Sequence, residues 1–141
     1  ARYDLPEIAL MDMGDFVGGM LKYMRRNPVA NLTIAGGFAK MVKLGQGAID
    51  LHSARSQVDF VVLADLATAC GYDHDMVANA NSVLDVVQQG TPEMRVKLAN
   101  AIAAAAQKTA LGVIAGAAVN IEILVVARDG QILGMAGTIA P

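Results

Sequence analysis

The chain has 141 residues, of which 55% are hydrophobic, and a formal net charge of −2. That is enough apolar material for one core at the usual domain size of about 100–200 residues, so a single domain over 1–141 is the default. With no Lys/Arg run beyond Arg25-Arg26, no Trp, three Phe and three Tyr, the chain lacks both the basic footprint and the stacking rings of a nucleic-acid binder, and its one cysteine excludes an internal disulfide.

The first residues, Ala1 followed by Tyr3-Asp4-Leu5-Pro6, read as a domain cut at a linker. They lack the basic, apolar and small-residue order of a secretory signal, which makes the cytoplasm the simplest location. Asp15 is placed to cap a first helix running to about Arg26. The apolar run Val29 to Ala35 favours a short buried strand ending at Gly36-Gly37. Beyond the glycines the period changes: Phe38, Met41, Val42, Gly45 and Ile49 share one side of a helix, and Lys40, Lys43 and Gly47 another. At such a strand–turn–helix junction the first helical N–H groups lack intrahelical partners and the macrodipole adds positive potential, so carboxylate or phosphate is attracted. Lys40 is unfavourable beside an empty helix N-terminus and suits an incoming anion. Asp50, His52, Ser53, Arg55 and Asp59 follow, and His52 could serve as base, acid or donor. The plainer alternative has Asp50 and Ser53 capping helices, His52 held by a backbone group and the lysines on a solvated face.

A third helix is expected from about Asp59 to Ala69 and another from about Asp75 to Gln88. The group Cys70, Asp73, His74 and Asp75 between them reads as helix punctuation after Gly71, and no protein-bound metal is expected. Thr91 as N-cap, Pro92 at the first helical position and Glu93 in the first turn open a long helix. The run Ala101 to Ile121 approaches the roughly 20 residues of a membrane span, but central Lys108 costs about 2.5–3.5 kcal/mol on insertion. The run is read as a buried helix, with Gly112 and Gly116 as packing positions and no membrane association. Ile121 to Ala127 reads as a strand and Ile132 to Met135 as its return, joined by Arg128-Asp129-Gly130-Gln131 as a hairpin in which both Asp129 and Gly130 take positive φ. The fold class is α/β or α+β, helix-rich with a small sheet.

Met13-Gly14-Asp15-Phe16-Val17-Gly18, the strand end Ile34-Ala35-Gly36, Lys40 with Lys43-Leu44, Gly47, and His52-Ser53 followed by Asp59 together resemble the C-terminal half of the CbiD family, the cobalt-precorrin-5B C1-methyltransferases of anaerobic cobalamin (vitamin B12) biosynthesis. Gly37 and Ala39 depart from the family pattern, which commonly has histidine and glycine there, and Asp50-Leu51 replaces an Asn-Thr pair. The resemblance implies a C-terminal fragment of a longer enzyme. It implies transfer of the methyl group of S-adenosylmethionine to C1 of a cobalt-bound tetrapyrrole, giving cobalt-precorrin-6A, with the cobalt arriving inside the substrate. On this expectation Gly36, Gly37, Lys40, Lys43, Ser53 and Arg55 bind the carboxylates of the macrocycle, and His52 is the candidate catalytic group. Two other classes stay open: a non-catalytic module that holds an anionic ligand, and an oligomerisation domain, since a homo-oligomer is compatible with the alanine-rich helix.

Overall fold

Side-chain caps open four of the six helices among the described residues. The structure, a computed structural model, describes residues 15–52 and 57–137. In chain order these form α1 (Val17–Arg26), β1 (Asn31–Gly36), α2 (Phe38–Gly45), α3 (Phe60–Thr68), α4 (His74–Ala78), α5 (Val83–Gln89), α6 (Pro92–Val113), β2 (Asn120–Val126) and β3 (Ile132–Ala136). The Asp59 carboxylate accepts from the N–H groups of Val61 and Val62 to open α3. Thr91 accepts from Met94 to open α6, with Pro92 and Glu93 in its first turn. Each satisfies donors that the helix itself leaves orphaned.

The strands form one sheet in the order β1-β2-β3, with β1 parallel and β3 antiparallel to the central β2. This is the helix-rich α/β arrangement expected from the sequence. α6 is the core helix: Leu98, Ala99, Ile102, Ala103, Ala106 and Ala110 form its buried stripe, packed against α2, β2 and β3. The strand period of two then divides β2. Ile121, Ile123 and Val125 join the main core on the α6 side, whereas Glu122 and Leu124, also buried, face the other way.

Several expectations need correction. Asp15 does not cap α1: the N-cap is Phe16, with no side-chain cap, and the Asp15 carboxylate instead pairs with Lys40. α2 stops at Gly45 rather than near Ile49, since Gln46 closes the turn and Gly47 takes a positive φ of 96°. The helix expected from Asp75 to Gln88 is two, because Asn79 ends α4 and Ser82 caps α5 by accepting from Asp85 N–H. The run Ala101 to Ile121 is helical only as far as Val113 and enters β2 at Asn120. A Cβ at Gly112 or Gly116 would meet no heavy atom within 4 Å among the described residues, so neither is a packing contact there. Among the described residues, no helix is long and apolar enough to cross a membrane. The hairpin also differs. Asp129 does not take positive φ; Gly130 alone does, at 85°, and its N–H donates to the Ala127 carbonyl while a register shift falls between Val125 and Val126. That is a type I turn closed by a left-handed glycine with a bulge, the three-residue solution for a tight hairpin.

Cys70 and Tyr72 are buried between α3 and α4, and the Tyr72 hydroxyl has no hydrogen-bond partner among the described residues. Burial pushes the Cys70 thiol above its ordinary 9.0, with Lys97 opposing, and pushes the Tyr72 phenol above 10.0 against the pull of Arg95. Both groups are neutral when protonated, so the folded chain holds these protons more tightly than the unfolded one. Their contribution to stability is complete below about pH 9 and falls as pH rises through the raised values. Urea midpoints measured from pH 8 to 11 should decline above pH 9, and the Cys70→Ala/Tyr72→Phe double variant should decline less. Parallel declines would remove these two groups as the cause.

Candidate active site

The Gly36-Gly37 turn lies where β1 delivers the chain into α2, at the C-terminal end of the parallel β1/β2 pair. Gly37 is the N-cap of α2, with extended φ −72° and ψ 170°. This conformation needs no glycine; what the missing side chain provides is space, since a Cβ at Gly37 would meet nothing within 4 Å among the described residues. A Cβ at Gly36 would come within 2.7 Å of the Met41 methyl, which closes the inner side of the turn. No side chain among the described residues caps α2, and no acidic residue stands in its first turn. The leading N–H groups of the helix therefore face an uncapped, open mouth, the arrangement that favours an anion.

The structure brings several of the sequence-predicted residues together through Asp15. Lys40 Nζ lies 3.1 Å from Asp15 Oδ1, with the lysine side chain half-exposed. The Asp15 carbonyl accepts from Leu51 N–H at 3.0 Å, and the Leu51 carbonyl accepts from Lys43 Nζ at 3.3 Å. Gly18 N–H donates to the Ile49 carbonyl at 2.8 Å, adding a second tie between the start of α1 and the segment after α2. Lys40, Lys43 and the residue preceding His52 thus hang on one connected set of bonds. Lys43 has a structural task within it. His52 is exposed, and its N–H donates to Asp50 Oδ1 at 3.1 Å. Ser53 and Arg55 lie outside the described residues.

A buried carboxylate joins the sheet where the sequence pattern predicts only apolar residues. Glu122, in the middle of β2, is fully buried and accepts from Thr33 Oγ1 at 3.2 Å, Thr33 being its register partner on β1. The available signal was a lone carboxylate inside the apolar run Ile121 to Ala127. By contrast, the group around Cys70 disperses: His74 Nε2 meets Asp65 Oδ1 at 2.8 Å, Asp73 caps α4 by accepting from Met76 N–H, and Cys70 Sγ approaches the Leu66 carbonyl at 3.7 Å. Among the described residues, no cluster of three His, Cys, Asp or Glu side chains is placed to hold a metal.

Comparison with known proteins identifies the family of the chain. Residues 50–137 match the family model described as CbiD, C-terminal domain. A protein of Brucella anthropi named cobalt-precorrin-5B C(1)-methyltransferase is 50% identical over 136 residues, covering 94% of this chain and 37% of the relative. Proteins of the same name from Brucella ovis and Brucella canis are each 48% identical with the same coverage. The chain therefore spans a little over a third of the length of these curated relatives. No solved structure matches it significantly. With its C-terminal-domain model covering well over half of the residues, this chain belongs to the CbiD family.

Proposed function

We propose that the chain is a single domain forming the C-terminal part of an S-adenosylmethionine-dependent, cytoplasmic C-methyltransferase that methylates C1 of cobalt-precorrin-5B. The observation that carries this reading is the similarity over 94% of this chain, at about half identity, to relatives bearing that name. A methyl sulfonium is already electrophilic and a reduced macrocycle offers an enamine-like carbon, so the protein's contribution is alignment. Reacting atoms held about 3–3.5 Å apart account for much of the acceleration available to such a transfer.

The uncapped N–H groups of α2 and Lys40 receive carboxylates of the tetrapyrrole, with Gly37 permitting close approach, Gly36 making room for Met41 behind the turn and Lys43 holding the Leu51 carbonyl; Arg55 and Ser53, outside the described residues, are proposed as further carboxylate ligands. The Lys40–Asp15 pair does not block this role: a half-exposed ion pair is worth about 0–1 kcal/mol, so an incoming carboxylate aligned with the helix N-terminus can displace or share it. His52, exposed beside Leu51, is the proposed donor to a carboxylate or carrier of a proton on the ring. A second reading has this domain holding only the anionic substrate while other parts of the protein bind the donor. It draws on the 37% coverage of the relatives.

The test uses the intact enzyme. Lys40→Ala combined with Arg55→Ala should raise KM for the tetrapyrrole by about tenfold or more, the scale of losing charge-assisted hydrogen bonds, with thermal stability nearly unchanged. Unchanged KM and kcat would remove both residues from the site, and absence of methyl transfer by the intact enzyme would remove the reading itself.

A further inference from the structure

At the opposite end of α2 from the glycine turn, a cavity of about 360 Å3 opens between α2, α3 and α6. α2 has eight residues, so at 1.5 Å per residue the two places stand roughly 12 Å apart along the helix. The walls are aliphatic: Val42 from α2, Val62 and Leu66 from α3, Ile102 and Ala105 from α6. Val62 is about half-exposed on the rim, an apolar surface that a ligand would cover.

Two polar side chains meet this lining, in different states. The Gln46 amide is consumed: its Nε2 donates to the Asp59 carbonyl at 2.9 Å and its Oε1 accepts from Asp59 N–H at 2.8 Å. That double bond pattern ties the end of α2 to the start of α3 and fixes the width of the cavity. Asp65 is the lining's ionisable group, and its Oδ1 is engaged by His74 Nε2 at 2.8 Å. A carboxylate has about four acceptor sites, and one such contact orients it while leaving acceptors available.

A cavity near the lower end of the roughly 300–1,000 Å3 range of ligand sites excludes a whole tetrapyrrole and suits a nucleoside. Aliphatic walls match the faces of a purine, and an oriented carboxylate at the mouth matches a vicinal diol, whose two hydroxyls both donate. We infer that this cleft binds the adenosine moiety of the methyl donor, with the base between Val42, Val62, Leu66 and Ile102 and the ribose diol on Asp65. The identity of the ligand rests on the methyltransferase reading; the site itself stands on the geometry of the cleft.

The experiment titrates this chain with S-adenosylhomocysteine by calorimetry, following the methyl resonances of Val42, Val62, Leu66 and Ile102. Saturable binding with shifts confined to those methyls is expected. Asp65→Asn should weaken it about tenfold, as loss of a hydrogen bond to a charged group does. Adenosine should outcompete 2′-deoxyadenosine on the parent chain by a similar factor and show no such preference on the Asp65→Asn variant. Val62→Trp, at a half-exposed position, should block the cleft with an unchanged circular dichroism spectrum. Absence of binding, shifts located elsewhere, or equal affinity for adenosine and its 2′-deoxy analogue on the parent chain overturns the inference. If the intact enzyme still transfers methyl groups in that case, the proposed function stands and the donor sits elsewhere. Nucleoside binding in the cleft with an intact enzyme that transfers no methyl group would do the reverse.

Discussion

Gly134→Ala is expected to destabilise the domain by about 3 kcal/mol, the upper end of the ordinary cost of overpacking. A Cβ at this position would lie 2.5 Å from the Ala99 carbonyl carbon, 2.6 Å from Ala99 Cβ and 2.6 Å from Asn100 N. Two of those atoms are helix backbone, which cannot rotate aside as the end of a methionine could. Relief requires β3 and α6 to separate, stretching the 3.0 Å bond from Met135 N–H to Asn100 Oδ1. Urea unfolding with an unchanged m-value measures the loss directly. A change below about 0.5 kcal/mol, the size of an inert surface substitution, would show that the interface yields. The same row of the sheet runs Gly134 to Val125 to Gly36. Displacement of β3 is therefore passed through the central strand to the candidate anion site, and under the proposed function the variant should also raise KM for the tetrapyrrole in the intact enzyme.

The second large effect is expected at Glu122. A carboxylate with no solvent exposure persists in a strand only when partners hold it, and the Thr33 hydroxyl is one of them. Glu122→Gln keeps the shape and an acceptor oxygen but removes the charge, and should cost about 1–3 kcal/mol through the weakened hydrogen bonds. Glu122→Ala adds a cavity and strands the donors, and should cost about 3 kcal/mol or more. The comparison separates charge from packing. If the glutamine variant is as stable as the parent, the carboxylate is held as its neutral acid or by contacts that need no charge. Thr33→Val should lose stability in the parent background and little in Glu122→Leu, a coupling that a double-mutant cycle reads.

The parts of this fold that were legible in the sequence are those decided within a few residues. Asp59, Thr91, Pro92 and Glu93 announce their helices because a cap satisfies N–H groups only two or three positions away. The turn at Gly130 was legible as a turn, although the bulge that spares Asp129 a positive φ depends on cross-strand register and was not. The break at Asn79 to Ser82 was obscured by continuous apolar periodicity, even though Ser82 three residues before Asp85 is an ordinary cap spacing. Asp15 illustrates the other limit. Its position suggested a cap, but its partner Lys40 is brought to it by the fold of α1 against the segment after α2. The glycine turn and the basic helix were visible as a candidate anion site. The cleft at Asp65 was not, because its walls come from three helices and its orienting histidine from a fourth.

The central strand of the sheet joins its parallel neighbour across a long stretch of chain: Thr33 and Glu122 are 89 positions apart. Closing a loop of that length is entropically slow compared with winding α6 or zipping the β2/β3 hairpin. The hairpin and α6 are contiguous in sequence and can dock first, leaving β1 to be recruited as the closing event. The mouth at Gly37, which exists only once β1 is seated, is thus among the last features of the molecule to mature.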